Sequence, residues 1–323
     1  MREKRSYAQE VCVKSAGKAM QQTGMIWPGC RIGVAVSGGV DSFVLLKTLH
    51  IRQGIVPFRF EIMAIHLNPG FDPQSHMPLA AWLSQHGIPS HLEVTDFGPH
   101  AHSAENQRRS PCFRCAWLRR KRLFELCSQY KLTHLALGHN AEDLVSTFFM
   151  NLCRNGRVDG MSMNEPFFGG KLHLIRPLLL VEKKYIIKAA KQWELPLWAN
   201  ACPSAGNTAR SDMSETLKAL YGVAKDSRRC ILNGLSRWQL EKNSLPDVVD
   251  AGEQERGAFV RGEGTPLSSR EKGGPSPQAP ILPQTRFITG NGQPYGCPFP
   301  VFMRDDDVIR LACCLLAGSV QAA

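Results

Sequence analysis

Residues 31–42 read Arg-Ile-Gly-Val-Ala-Val-Ser-Gly-Gly-Val-Asp-Ser, and they constrain the fold more than any other stretch. Residues 32–36 form a short, mostly apolar run with three β-branched side chains, the composition of a buried strand. Ser37-Gly38-Gly39 breaks the run, and helical apolar spacing resumes at Phe43, Leu46 and Leu49. A strand that turns through two glycines into a helix leaves backbone N–H groups free at the helix start. Those groups and the helix dipole favour an anion, and the glycines let it approach closely. No Gly-Lys-Ser/Thr ending follows, which excludes a Walker A loop.

The motif Ser37-Gly38-Gly39-x-Asp41-Ser42 resembles the PP-loop of ATP pyrophosphatases, which cleave ATP between its α and β phosphates. Val40 stands where that motif usually has a lysine. Further strands are expected at 59–67, 90–95, 134–137 and 172–175. Helices are expected at 78–86, 112–130, from about 143 to 153, and at 182–193. Residues 97–109 read as polar and irregular, and 155–170 as a glycine-containing loop. This alternation argues for an α/β fold with a parallel sheet and right-handed crossovers. Ligands of such sheets bind at the carboxyl ends of the strands. Ser37, His66 and Gly138 fall at three such ends, which points to one nucleotide site, although His66 serves equally well as a satisfied strand histidine.

The chain has 323 residues, of which 43% are hydrophobic, enough for a sizeable core. Its formal net charge of +11 suggests a polyanionic partner such as nucleic acid, with solubility charge as the plainer explanation. Residues 1–25 are expected to include a basic amphipathic helix, and 26–242 the nucleotide- and cysteine-bearing domain. Residues 243–285 shift to Gly, Pro, Ser and Glu and read as a flexible linker, followed by a C-terminal segment at 286–323. No apolar run is long enough to span a bilayer, and the N-terminus lacks the apolar core of a signal peptide, so a cytoplasmic protein is expected.

Eleven cysteines in a reducing compartment point to metal, cluster or redox chemistry rather than a disulfide framework. Cys112-x-x-Cys115 opens a basic helix, and Cys202 lies in a later turn, after a helix and a short strand. Spacing alone leaves zinc, an iron–sulfur cluster and a thiol redox pair open. Cys127 and Cys153 fall inside helices and are expected to be buried thiols. Beside the C-x-x-C pair lie Arg108, Arg109, Arg114, Arg119, Arg120, Lys121, Arg122 and Lys131, against Glu125 alone within that block. Such a block suits RNA phosphates better than a merely solvated helix face, because it adjoins the cysteines.

Taken together, residues 24–240 resemble the tRNA-cytidine 2-sulfurtransferase (TtcA) family. The resemblance is carried by Gly24-Met25-Ile26, the 37–42 loop, Pro69-Gly70-Phe71, Cys112-x-x-Cys115 with Leu118-Arg119-Arg120, Ala136-Leu137-Gly138-His139, Arg176-Pro177-Leu178, and Cys202-x-Ser204-x-x-Asn207-x-x-Arg210. It implies an adenine nucleotide alpha hydrolase-like domain that binds Mg-ATP, with nucleotide contacts from Ser37, Gly38, Gly39, Asp41, Ser42, His66, Gly138 and His139. Asp41 and Asp143 are the carboxylates expected to serve catalysis through Mg²⁺, although Asp143 suits the helix dipole equally well. The resemblance also implies a 4Fe-4S cluster on Cys112, Cys115 and Cys202. Its partners would be tRNA, held by Arg108, Arg109, Arg119, Arg120, Lys121 and Arg122, a sulfur donor such as a cysteine desulfurase, and a second copy in a homodimer. Alternatives are a 2-thiouridine synthetase, a lysidine-type ligase, or a non-catalytic RNA-binding iron–sulfur protein.

Overall fold

The computed structural model describes residues 4–104, 106, 110–198, 201–204 and 209–243. The expected linker and C-terminal segment lie outside them, as do Arg108 and Arg109. Along the chain run α1 (Tyr7–Gln22), β1 (Arg31–Ala35), α2 (Val40–Gln53), β2 (Glu61–Asn68), α3 (Met77–Gln85), β3 (Ser90–Val94), α4 (Phe97–His102) and α5 (Pro111–Gln129). They are followed by β4 (His134–Ala136), α6 (Ala141–Asn155), β5 (Asn164–Phe167), β6 (Leu172–Ile175), α7 (Lys183–Gln192), α8 (Ala209–Tyr221) and α9 (Ser227–Asn243).

The sheet has six strands in the order β3-β2-β1-β4-β6-β5. β1 pairs in parallel with β2 and β4, β2 with β3, and β4 with β6; only β5 runs antiparallel, as an edge strand on β6. Both faces are covered. Ile32, Val34, Ile62, Ala64 and Ala136 join a core with side chains from α1, α2, α6 and α7. Ile65, Leu67 and Leu135 join a second core with Leu126 and Cys127 of α5. The chain leaves β3 and returns on the other side of β1, so the strand order reverses between β1 and β4. In a doubly wound sheet that reversal opens a crevice at the carboxyl ends of the two strands. The 37–39 loop follows β1 and the 137–140 loop follows β4, so both border it.

Three departures from the sequence reading have local causes. α1 begins at Tyr7 because Ser6 and Gln9 form a capping box, and its basic set is partly neutralised by Glu10, which pairs with Arg5 and Lys14. Residues 97–102 are helical rather than irregular. The loop expected at 155–170 contains β5, whose Pro166 is tolerated at a sheet edge.

Candidate functional site

The 37–42 loop closes on itself through its two serines. The Ser37 N–H donates to Ser42 Oγ at 3.1 Å, and the Ser42 hydroxyl donates to the Gly39 carbonyl at 2.9 Å. Gly38 holds φ at +90°, a conformation that only glycine adopts without strain. Gly39 caps α2 with no side-chain bond, leaving N–H groups of the first turn available to a ligand.

The loop after β4 presses against this helix start. A Cβ on Gly138 would lie 2.8 Å from Ser42 N and 2.9 Å from Asp41 C, so only glycine allows the approach. Asn140 caps α6, accepting from the Glu142 and Asp143 N–H groups at 3.0 and 3.2 Å. Asp143 Oδ2 accepts from the Asn140 N–H at 3.1 Å, which makes Asp143 the reciprocal member of a capping box. Asn140 Nδ2 also donates to Asp41 Oδ1 at 3.0 Å, and Lys183 Nζ, from the start of α7, pairs with Asp41 Oδ2. Three helix N-termini therefore meet at one carboxylate.

A cavity of about 320 Å³ opens beside this carboxylate, lined by Ser37, Asp41, Ser42, Gly138 and His139, and across from them by Arg119 and Arg120 of α5. His66 is 2% exposed, and burial pushes its pKa down to about 4. The carbonyl of Val36 lies 2.7 Å from His66 Nδ1, which assigns the proton to Nδ1 and leaves Nε2 as an acceptor with no hydrogen-bond partner among the described residues. Another cavity, of about 290 Å³, lies at the amino ends of β1 and β2, lined by Arg31, Ile32, Glu61 and Ile62, away from these loops.

The C-x-x-C pair occupies the first turn of α5, started by Ser110 and Pro111. Cys112 is exposed, and Cys115 and Cys202 are half-buried. Burial raises the pKa of the Cys115 thiol, Arg119 opposes the rise, and the charges of Cys202 and Cys112 add to it. Cys115 is thus within electrostatic reach of both other thiols. A 2.9 Å contact between His102 Nε2 and Ser204 Oγ ties α4 to the Cys202 turn, and the backbone between α7 and residue 198 is irregular rather than a strand. Among the described residues no three His, Cys, Asp or Glu side chains are already gathered at metal-ligand distances. The donor set, three thiols without a carboxylate, fits an iron–sulfur cluster and not a hard cation. Cys127 is buried as expected, with a pKa pushed up to about 12 by burial, whereas Cys153 is exposed, because it lies on the outer side of α6.

The basic block divides by direction. Arg119 and Arg120 face the cavity. Arg122 donates to both Glu93 oxygens at 3.0 Å and to Glu125 at 3.1 Å, and Lys121 lies 3.9 Å from Glu125. Counting charges along 108–131 misses Glu93 because it arrives from β3. Asn140 and Lys183 were also missed as site residues. The Asn-x-x-Asp spacing at 140–143 signals the first, and nothing local signals the second.

The PP-loop domain family (ATP_bind_3) matches residues 15–202. The tRNA-cytidine(32) 2-sulfurtransferase of Geobacter metallireducens is 33% identical over 228 residues, spanning 69% of this chain and 88% of the relative. The enzyme of the same name from Geobacter sulfurreducens is 32% identical over 246 residues, 73% of this chain and 95% of the relative. In Bordetella pertussis it is 33% identical over 224 residues, 68% and 69% respectively. Among solved structures, the U34-tRNA thiolase NcsA from Methanococcus maripaludis with its [4Fe-4S] cluster superposes with a TM-score of 0.58 at 21% identity, covering 79% of this chain and 91% of that one. That likeness shows the shared fold.

Proposed function

The chain belongs to the PP-loop family and, within it, to the tRNA-cytidine(32) 2-sulfurtransferases, and from this membership we propose how it replaces the C2 oxygen of a tRNA cytidine with sulfur. The observation that carries the reading is Arg119. It lines one cavity with Ser37, Asp41 and His139 and follows Cys115 by one turn of α5, so the helix that carries the cysteines borders the loop's cavity.

The C2 carbonyl of cytosine is amide-like and a poor electrophile, so its oxygen must first become a leaving group. The oxygen attacks the α-phosphate of ATP, the bond from that phosphorus to the β-phosphate oxygen breaks, and pyrophosphate departs. A sulfur nucleophile then adds at C2, and AMP leaves with the original oxygen. N–H groups of Gly38 and Gly39 stabilise charge developing on the phosphates, with Ser37 and Ser42 fixing the loop that presents them. Asp41 would hold Mg²⁺, whose preferred ligands are carboxylate and phosphate oxygens. His139 and Gly138 border the phosphates; His66 lies outside this cavity lining, with its ring against Trp198 and His76, and carries no nucleotide contact in this reading. Asp143, committed to its capping box, orients Asn140 toward Asp41. Cys112, Cys115 and Cys202 would hold the 4Fe-4S cluster, which would supply the sulfur chemistry when bound. Arg119 and Arg120 hold the anticodon-loop phosphate nearest the cavity, and Lys121 with Arg122 adds a weaker contact because acidic partners already offset it.

The test is mass spectrometry of tRNA nucleosides from cells with and without the gene. Loss of 2-thiocytidine on deletion is expected, and an unchanged level overturns the reading.

A further inference from the structure

Resting on the reading that the chain uses ATP, we propose that Lys183 is a phosphate-binding cation of this nucleotide site, supplied by α7 rather than by the loop. The first turn of α2 reads Val40-Asp41-Ser42 and contains no basic residue. Val40 packs against the core instead of reaching toward the cavity. The loop therefore presents backbone N–H groups and one carboxylate to a polyanion, and that carboxylate repels it.

Lys183 brings a cation to Asp41, a residue of the cavity wall, from the side opposite Arg119 and Arg120 of α5. Its Nζ pairs with Asp41, while its side chain is 34% exposed and that of Asp41 23% exposed. It is the first residue of α7, where the helix dipole disfavours a cation, and α7 has no acidic residue in its first turn. A lysine there needs an anion from elsewhere. In the nucleotide-free protein Asp41 provides it; in the ATP complex the phosphates compete for the same ammonium, and Asp41 is released to the metal. The four-carbon stem permits that exchange without backbone movement.

The backbone of Lys183 is anchored independently of its charge. Its N–H donates to Glu142 Oε2 at 2.8 Å, and Glu142 Oε1 pairs with Arg228 of α9 at 2.7 Å. Arg228 also reaches Glu182 at 3.4 Å, so the two acids flanking Lys183 are satisfied by another cation. The side chain of Lys183 can leave Asp41 while the start of α7 stays in place.

Calorimetric titration of the full-length protein with a non-hydrolysable ATP analogue and with adenosine tests the assignment. Lys183→Ala is expected to weaken the analogue about tenfold or more, the scale of one charge-assisted contact, and to leave adenosine affinity unchanged. Lys183→Arg should retain most of the affinity. Wild-type protein that binds no ATP overturns the functional reading and this assignment with it. Wild-type protein that binds ATP, with the Lys183→Ala variant binding it equally well, overturns the assignment alone. Equal losses for the analogue and adenosine also overturn it.

Discussion

At the residue scale, the site depends on how closely two loops approach, and two neighbouring glycines separate packing from conformation. A Cβ on Gly39 would meet nothing nearer than 3.6 Å, in a loop position with negative φ. A Cβ on Gly138 would drive into the backbone of Asp41 and Ser42, which cannot rotate away as a side chain can. Gly138→Ala should therefore destabilise the fold by about 1–3 kcal/mol, the usual range for overpacking, and weaken ATP binding as well. Gly39→Ala should leave the unfolding free energy within about 0.5 kcal/mol of wild type, as for substitutions that meet no steric conflict. Urea denaturation of both variants checks the contrast, and equal stabilities would contradict it. The sequence made Gly38 and Gly39 legible because they fall in one contiguous motif. Gly138 was legible as a site residue by its place after β4, but its steric role was not, since it depends on a residue some hundred positions earlier in the chain. Lys183 was illegible for the same reason: its partner Asp41 is 142 residues away.

At the element scale, α5 shows how a single helix divides its work. Its first turn carries Cys112 and Cys115, its middle turns Arg119 and Arg120 into the cavity, and Arg122 crosses to β3. Helical periodicity was enough to place the cysteines and the arginines on one element. It could not say which arginines were already paired, because Glu93 belongs to another strand. That pairing makes Arg122 a structural cation rather than a free one. Charge reversal, Arg122→Glu, places three carboxylates together and should lower stability by about 1 kcal/mol or more, given partly exposed pairs. The salt dependence of tRNA binding should change little in that variant. Arg119→Glu should instead weaken tRNA and flatten the slope of affinity against salt, since a cation aimed at phosphate is lost. Filter binding across a salt series measures both slopes. A slope reduced equally by the two substitutions would mean that Arg122 contacts RNA as strongly as Arg119 despite its carboxylates.

At the scale of the whole molecule, alternating strand and helix patterns were sufficient for a parallel α/β sheet, and the loop motif located its first strand. What the pattern could not give was strand order. The crevice exists because β4 inserts beside β1 on the side away from β2, a pairing between residues about a hundred positions apart. β5 escaped notice because four residues that include a proline carry no strand signal, and only pairing with β6 makes them one. The same sheet buries two histidines near opposite ends, and this sets the acid limit of the fold. His66 is 2% exposed and His134 is fully buried, and burial pushes each pKa down to about 4. His134 is further held neutral by His173 and packs 4.2 Å from the ring of Trp27. In the unfolded chain both titrate near 6.5, so between about pH 6.5 and 4 the unfolded state binds protons that the folded state refuses. Stability is therefore full above the unfolded pKa and falls as the pH drops through that window. Between pH 7 and 5 the loss should approach about 2 kcal/mol for each histidine. His134→Gln lies away from the nucleotide loops and should remove its share, giving a smaller fall in urea midpoint between those two pH values than wild type shows. Parallel pH profiles for the two proteins would mean that His134 titrates normally in the folded state.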